Sequence, residues 1–128
     1  MEAAPVANLE VVLKEAMSIE GAIGVALVDF TSGMTLATAG GSAELDLTVA
    51  AAGNTDVIRA KLRTIEMLKL PDGIEDILIT LDTQYHLIRP LHSRAGDGLF
   101  LYLALNKGRA NLALARHRLR LVEESLEL

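Results

Sequence analysis

Leu99-Phe100-Leu101-Tyr102-Leu103-Ala104-Leu105 is apolar at every position. Neither parity leaves a polar face. A strand of this kind is buried on both sides, so its sheet needs cover on both faces. The run has seven residues, too few to cross a bilayer. A loop, Ser93-Arg94-Ala95-Gly96-Asp97-Gly98, precedes it. Further upstream, Ile77-Leu78-Ile79-Thr80-Leu81 reads as a strand. Asp82-Thr83-Gln84 can turn it into Tyr85-His86-Leu87-Ile88-Arg89, which Pro90 ends. The three runs form a meander.

Helices supply the cover. Downstream, Leu112, Ala115, Leu119, Val122 and Leu126 form a stripe at spacings of three and four. They predict a helix over 107–127, with Asn106 as N-cap. A second row, Leu114, Leu121 and Leu128, steps by seven beside it and exceeds what one small sheet face needs. Before the meander, Ala51, Asn54, Ile58, Leu62, Ile65 and Leu68 predict a helix over 46–69, capped by Asp46 and closed by Pro71 and Gly73. Gly53 inside it costs about 1 kcal/mol relative to alanine. The thin stretch Ala50–Gly53 reads as a close-packing surface. Nearer the start, Leu9, Val12, Leu13, Ala16 and Met17 predict a helix over 6–19, with Pro5 in its first turn and Gly21 as a left-handed stop. Between these helices, Ile23–Asp29 alternates as a strand. Thr31-Ser32-Gly33 turns it into Met34–Thr38, and Gly40-Gly41-Ser42 breaks that second strand. The order is α-β-β-α-β-β-β-α in a single domain over 1–128, an α/β sandwich of the α+β class. Short hairpins make the sheet mostly antiparallel.

Composition narrows the function. The 128 residues are 51% hydrophobic and 23% charged, which excludes a disordered chain. Phe30, Tyr85, Phe100 and Tyr102 are its only aromatics, so the core is aliphatic. The chain has no cysteine, which excludes disulfides, thiolate metal sites and cysteine nucleophiles. No basic segment followed by an apolar run marks a signal peptide at Met1–Pro5, and the expected location is cytoplasmic. The net charge of −5 opposes nucleic acid binding. Charge is unevenly spread: residues 1–58 hold eight acids against Lys14 alone, whereas 59–69 hold Arg59, Lys61, Arg63 and Lys69 against Glu66. The last stretch adds Lys107, Arg109, Arg116, Arg118 and Arg120 against three glutamates. The plain reading is two solvated helix faces. The sharper one is a positive patch for an acidic protein partner. No aromatic is interleaved with these bases, so a stacking site for single strands is not expected.

A search for chemistry finds little. No Walker A loop, G-x-G-x-x-G, G-x-S-x-G or H-E-x-x-H pattern occurs. His86, His92 and His117 show no metal-ligand spacing. Ser32, Ser42, Ser93 and Ser125 sit in turns or near helix ends, where serine serves the backbone. Asp72, Glu75 and Asp76 read as a solvated loop, and Asp29 as an acceptor for N–H groups in a tight turn. No catalytic residue, cofactor or metal is expected.

The element order resembles the roadblock / dynein light chain family. So do Gly24-Val25-Ala26-Leu27-Val28-Asp29 with the Ser32-Gly33 turn, and Asp76-Ile77-Leu78-Ile79-Thr80. Leu103-Ala104-Leu105-Asn106 followed by Arg109-Ala110-Asn111-Leu112-Ala113-Leu114-Ala115-Arg116 looks like the stand-alone bacterial gliding members. The motifs are hydrophobic patterns with turn residues, and they cover nearly the whole chain. The resemblance implies a five-stranded sheet in the order 2-1-5-4-3, with the second helix on one face and the other two opposite. It also implies a non-catalytic homodimer that regulates a small Ras-like GTPase or its module. These residues hold no GTPase motif, so the GTPase is expected to act in trans. For the dimer, Ala51, Asn54, Ile58, Ile77, Leu78, Ile79, Thr80 and Leu81 are the expected interface, because strand 77–81 as an edge is apolar and lacks proline and lysine. Arg59, Lys61 and Arg63 are the expected partner contacts. The rival reading is a small-molecule sensor of the PAS or profilin kind, which needs an aromatic-lined cavity.

Overall fold

The computed structural model describes residues 3–92 and 96–126, with side chains from Asn8 onward. Ser93, Arg94 and Ala95 of the expected loop, and Leu128 of the second helical row, lie outside the described residues. The elements are α1 (Ala3–Ala16), β1 (Ala22–Asp29), β2 (Met34–Gly40), α2 (Leu47–Met67), β3 (Ile77–Thr80), β4 (Gln84–Pro90), β5 (Leu99–Asn106) and α3 (Leu112–Ser125). The five strands form one sheet ordered β2-β1-β5-β4-β3. Every neighbouring pair is antiparallel.

β5 sits at the centre because it has no face to give to water. Residues Phe100 to Leu105 are all fully buried. Leu101, Leu103 and Leu105 join Leu9, Leu13 and Ala16 of α1 and Ala115 and Leu119 of α3 in one core. Phe100, Tyr102 and Ala104 point the other way, into a core with Leu47, Ala51 and Ile58 of α2. Each large side chain so buried stabilises the fold by about 1.5–3 kcal/mol before conformational entropy is charged.

Local chemistry sets the boundaries. Asp46 caps α2 by accepting from Thr48 N at 2.9 Å and Val49 N at 3.3 Å. Gly21 follows α1 at φ +87°, and an added Cβ would lie 3.1 Å from Ala110. α3 starts later than expected. Its N-cap is Asn111, which accepts from Leu114 N at 3.0 Å. Asn106 instead accepts from Gly108 N within the preceding turn. Asn106 O also accepts from Arg109 N at 3.1 Å and Ala110 N at 3.0 Å, which closes a turn at 107–110 and delays the helix to Asn111.

Two ion pairs pin α3 across the sheet. Arg89 of β4, buried, donates Nε to Glu123 Oε1 at 2.6 Å. His92 N donates to Glu123 Oε2, also at 2.6 Å. Arg116 donates Nε and Nη2 to Asp76 at 2.9 and 2.6 Å. Asp76 is therefore not part of a solvated loop: its side chain is only 11% exposed and is held by this fork.

Candidate functional site

β3 is an edge strand of four residues. One side of it pairs with β4. Its composition carries none of the usual edge protection: no proline and no charge between Ile77 and Leu81. Ile77 and Ile79 are half-buried against the α2-side core. Leu78 is 37% exposed and Leu81 42%.

The face of the sheet beside this edge is incompletely covered. Five strands spaced about 4.8 Å apart span roughly 20 Å or more, while one helix with its side chains is about 10–12 Å across. Opposite, two helices share the work. On this side α2 stands alone. Its inner row, Leu47, Ala51, Thr55 and Ile58, packs downward, and Gly33 in the β1–β2 turn approaches Thr55 and Ala52. β3, together with Gln84 and His86 of β4, is left half-covered.

Two clefts line that flank of α2. One, of about 600 Å³, lies among Val57, Ala60, Lys61, Thr64, Asp76 and Ile77. The other, of about 330 Å³, lies among Leu45, Ala50, Gly53, Asn54, His86 and Tyr102. Ala50, Gly53, Val57, Ala60 and Thr64 follow one another at spacings of three and four, so they form a second row on α2 beside the inner one.

This corrects the expected interface on α2. Ala51 and Ile58 are fully buried in their own protomer and offer no surface to a second chain. Asn54 is half-exposed and lines the cleft. Thr80 is exposed, as are Leu78 and Leu81, and Ile77 and Ile79 are half-exposed. The thin stretch Ala50–Gly53 holds the first two residues of this row; its continuation through Val57, Ala60 and Thr64 was not legible because residues 49–52 are apolar on every side of the helix. Gly53, the glycine that marked the stretch in the sequence, opens outward: an added Cβ there meets nothing within 4 Å.

The polar end of the groove is a short hydrogen-bond chain. Tyr102 Oη lies 3.2 Å from His86 Nδ1, and His86 Nε2 lies 2.8 Å from Gln84 Oε1. Gln84 Oε1 accepts, so Nε2 carries the proton and Nδ1 accepts from the tyrosine. Burial holds the His86 ring below its ordinary value and pushes the Tyr102 hydroxyl up to about 12. Both groups are neutral at pH 7, which suits an apolar contact.

Charges border the groove. Lys61 lines the larger cleft, and Lys61 and Arg63 are exposed. Arg59 is exposed too, but donates Nη2 to Thr31 O at 2.5 Å, bracing the β1–β2 turn. In that turn Asp29 accepts from Thr31 N at 2.8 Å and Thr31 Oγ1 at 2.6 Å, as its position led one to expect. Those bonds hold the Asp29 carboxyl below its ordinary value. Among the described residues, no group of three histidines, cysteines or carboxylates is placed to hold a metal ion. No helix of the described residues is long and apolar enough to cross a membrane.

No family model matches the chain, and no curated protein matches it in sequence. Solved structures do share its fold. MglB of Myxococcus xanthus superposes with a TM-score of 0.81 at 17% identity, over 94% of this chain and 86% of that one. The gliding protein MglB of Thermus thermophilus gives 0.79 at 17% identity, over 98% and 90%. A Roadblock/LC7 domain from Streptomyces avermitilis gives 0.77 at 10% identity, over 91% and 92%.

Proposed function

We propose that this chain, which has the roadblock/LC7 fold, is a non-catalytic homodimeric platform that binds and modulates a small Ras-like GTPase, or the regulatory module working with one, in trans. The observation that carries the proposal is the half-covered sheet face beside an unprotected edge. A second copy supplies what is missing. Its β3 pairs with β3, and its α2 lies in the groove along Ala50, Gly53, Val57, Ala60 and Thr64. Asn54, Ile77, Leu78, Ile79, Thr80 and Leu81 complete the contact. Such a contact uses the same patch on both copies and closes on itself. The paired α2 helices then present Lys61 and Arg63, with Arg59 beside them, toward an acidic partner. On-rates to that partner fall as salt rises. The cytoplasm is the compartment in which such a GTPase is met.

The test is a pull-down from native cytoplasm with the nucleotide state controlled, using the wild type, Ile79→Lys and a Lys61→Glu/Arg63→Glu pair. Capture of a GTPase or its module by the wild type, reduced in both variants, supports the reading. Capture that ignores both variants removes these surfaces from the function.

A further inference from the structure

The sheet has a second edge, β2, on the far side from β3. It pairs with β1 alone. Residues 30–43 include neither a charge nor a proline, so composition protects this edge no better than β3. Met34 is 67% exposed and Leu36 49%, and Thr38 and Gly40 are exposed too. A bulge at Leu36 bends the Met34 end: Leu27 pairs with Ala37, but the next residue, Val28, pairs with Thr35. The regular part of the edge is therefore 37–40.

Ile23 O accepts from Gly41 N, and Asp29 O accepts from Gly33 N. Odd-numbered residues of β1 thus turn their backbone polar groups toward β2. Val25 and Leu27 pair with Ala39 and Ala37. Thr38, between those two, turns its N–H and C=O away from the sheet. Beside it lies a cleft of about 280 Å³, bounded by Gly40 and Ser42 and by Asp46 and Thr48 at the start of α2. Both capping bonds of Asp46 fall on Oδ1, which leaves Oδ2 able to accept from another donor. The surroundings are acidic. α1 and α2 both pack against β2. Glu10 on α1, Glu44 and Asp46 before α2, and Asp56 on α2 are all exposed. Against them stand Lys14 on α1 and Arg59 on α2, and Arg59 is already bonded to Thr31 O.

We infer that β2 takes an extended, basic segment of a partner protein as a sixth strand, with lysine or arginine at alternate positions set into the cleft against Asp46. Main-chain bonds at Thr38 supply the pairing, and side chains of one parity face the cleft. The charge around the edge selects the occupant. A basic segment is attracted to it, whereas a second β2 would bring two acidic surroundings together and set bulge against bulge. The site lies at the opposite edge from the dimer contact proposed above. Each protomer carries one, and it stands whether or not the dimer forms.

Fluorescence anisotropy on the full chain tests the inference with three labelled octapeptides. One alternates lysine with valine, one alternates glutamate with valine, and one is the lysine peptide N-methylated throughout, which keeps the charge and cannot donate from its backbone. The lysine peptide binds once per protomer, and added salt weakens it. The other two bind at least about tenfold more weakly. Thr38→Pro removes an N–H that β1 does not use, and it weakens the lysine peptide about tenfold. Asp46→Asn keeps a capping side chain and weakens it about threefold. Ile79→Lys, on the other edge, binds as the wild type does. Thermal melts confirm that each variant folds. Amide exchange at Thr38 in the wild type, slowed by the lysine peptide, reads the same contact without a substitution. Equal binding of the N-methylated peptide, no binding of any peptide, or Thr38 exchange that the lysine peptide leaves unchanged overturns the inference. Binding kept in Thr38→Pro and lost in Ile79→Lys moves the peptide to β3 and overturns it too.

Discussion

Glu123 is bonded by groups from two separate elements. Burial alone pushes its carboxyl up, but the bonds from His92 N–H and Arg89 outweigh it and hold the group below its ordinary value. The sign follows from linkage. A carboxyl depressed in the folded state stabilises the fold above the ordinary carboxylate range, and that contribution is lost as pH falls through the folded value. Glu123→Ala strands a buried arginine and is expected to cost about 3–5 kcal/mol in urea denaturation at pH 7. Glu123→Gln is expected to lose less and to flatten the acid limb of stability against pH. An unchanged acid limb would remove Glu123 as its source. None of this was legible in the sequence, where residues 89 and 123 share no spacing rule. The same holds for His86 and Tyr102, which become neighbours only through the β4–β5 register that sets Ile88 opposite Tyr102.

α2 shows how far periodicity reaches at the level of one element. Its existence, its Asp46 cap and its approximate length were readable. Which row faces the sheet was not. Ala51, Asn54 and Ile58 fit a stripe, and Ala50, Gly53 and Val57 fit another one position away. In an alanine-rich turn the two are equally apolar, so only packing against β1 and β5 separates them. Two substitutions check the assignment. Ile58→Ala leaves a cavity in the protomer core and is expected to cost about 2–5 kcal/mol of stability while the dimer persists. Dissociation without loss of protomer stability would return Ile58 to the interface. Gly53→Ala is expected to stabilise the helix by up to about 1 kcal/mol, because nothing crowds the site within the protomer. Gly53→Leu should instead weaken self-association, read by light scattering. α3 repeats the lesson at its start. Asn106 was the expected cap, but its carbonyl accepts from Arg109 N and Ala110 N, closing a turn that holds the helix off until Asn111.

For the molecule as a whole, self-association is the central expectation. Ile79→Lys places a charge on the half-buried edge strand. It is expected to give a monomer, at about 2–5 kcal/mol for the lost aliphatic contact before any charge penalty. Sedimentation as a wild-type dimer would show that the edge is not the interface. The sequence by itself determined the element order, the antiparallel sheet and the burial of β5 on both faces, because those follow from residues close together in the chain, whereas the central place of β5 was implied by the family resemblance alone. Alternation, helical spacing and turn chemistry are local, and a strand apolar at both parities admits no surface position. The tertiary structure alone decided which side of α2 stays open, which acids are buried in ion pairs and how much of the sheet one helix leaves bare. Those depend on the width of a sheet against the width of a helix and on contacts between residues tens of positions apart, neither of which any stretch of sequence records.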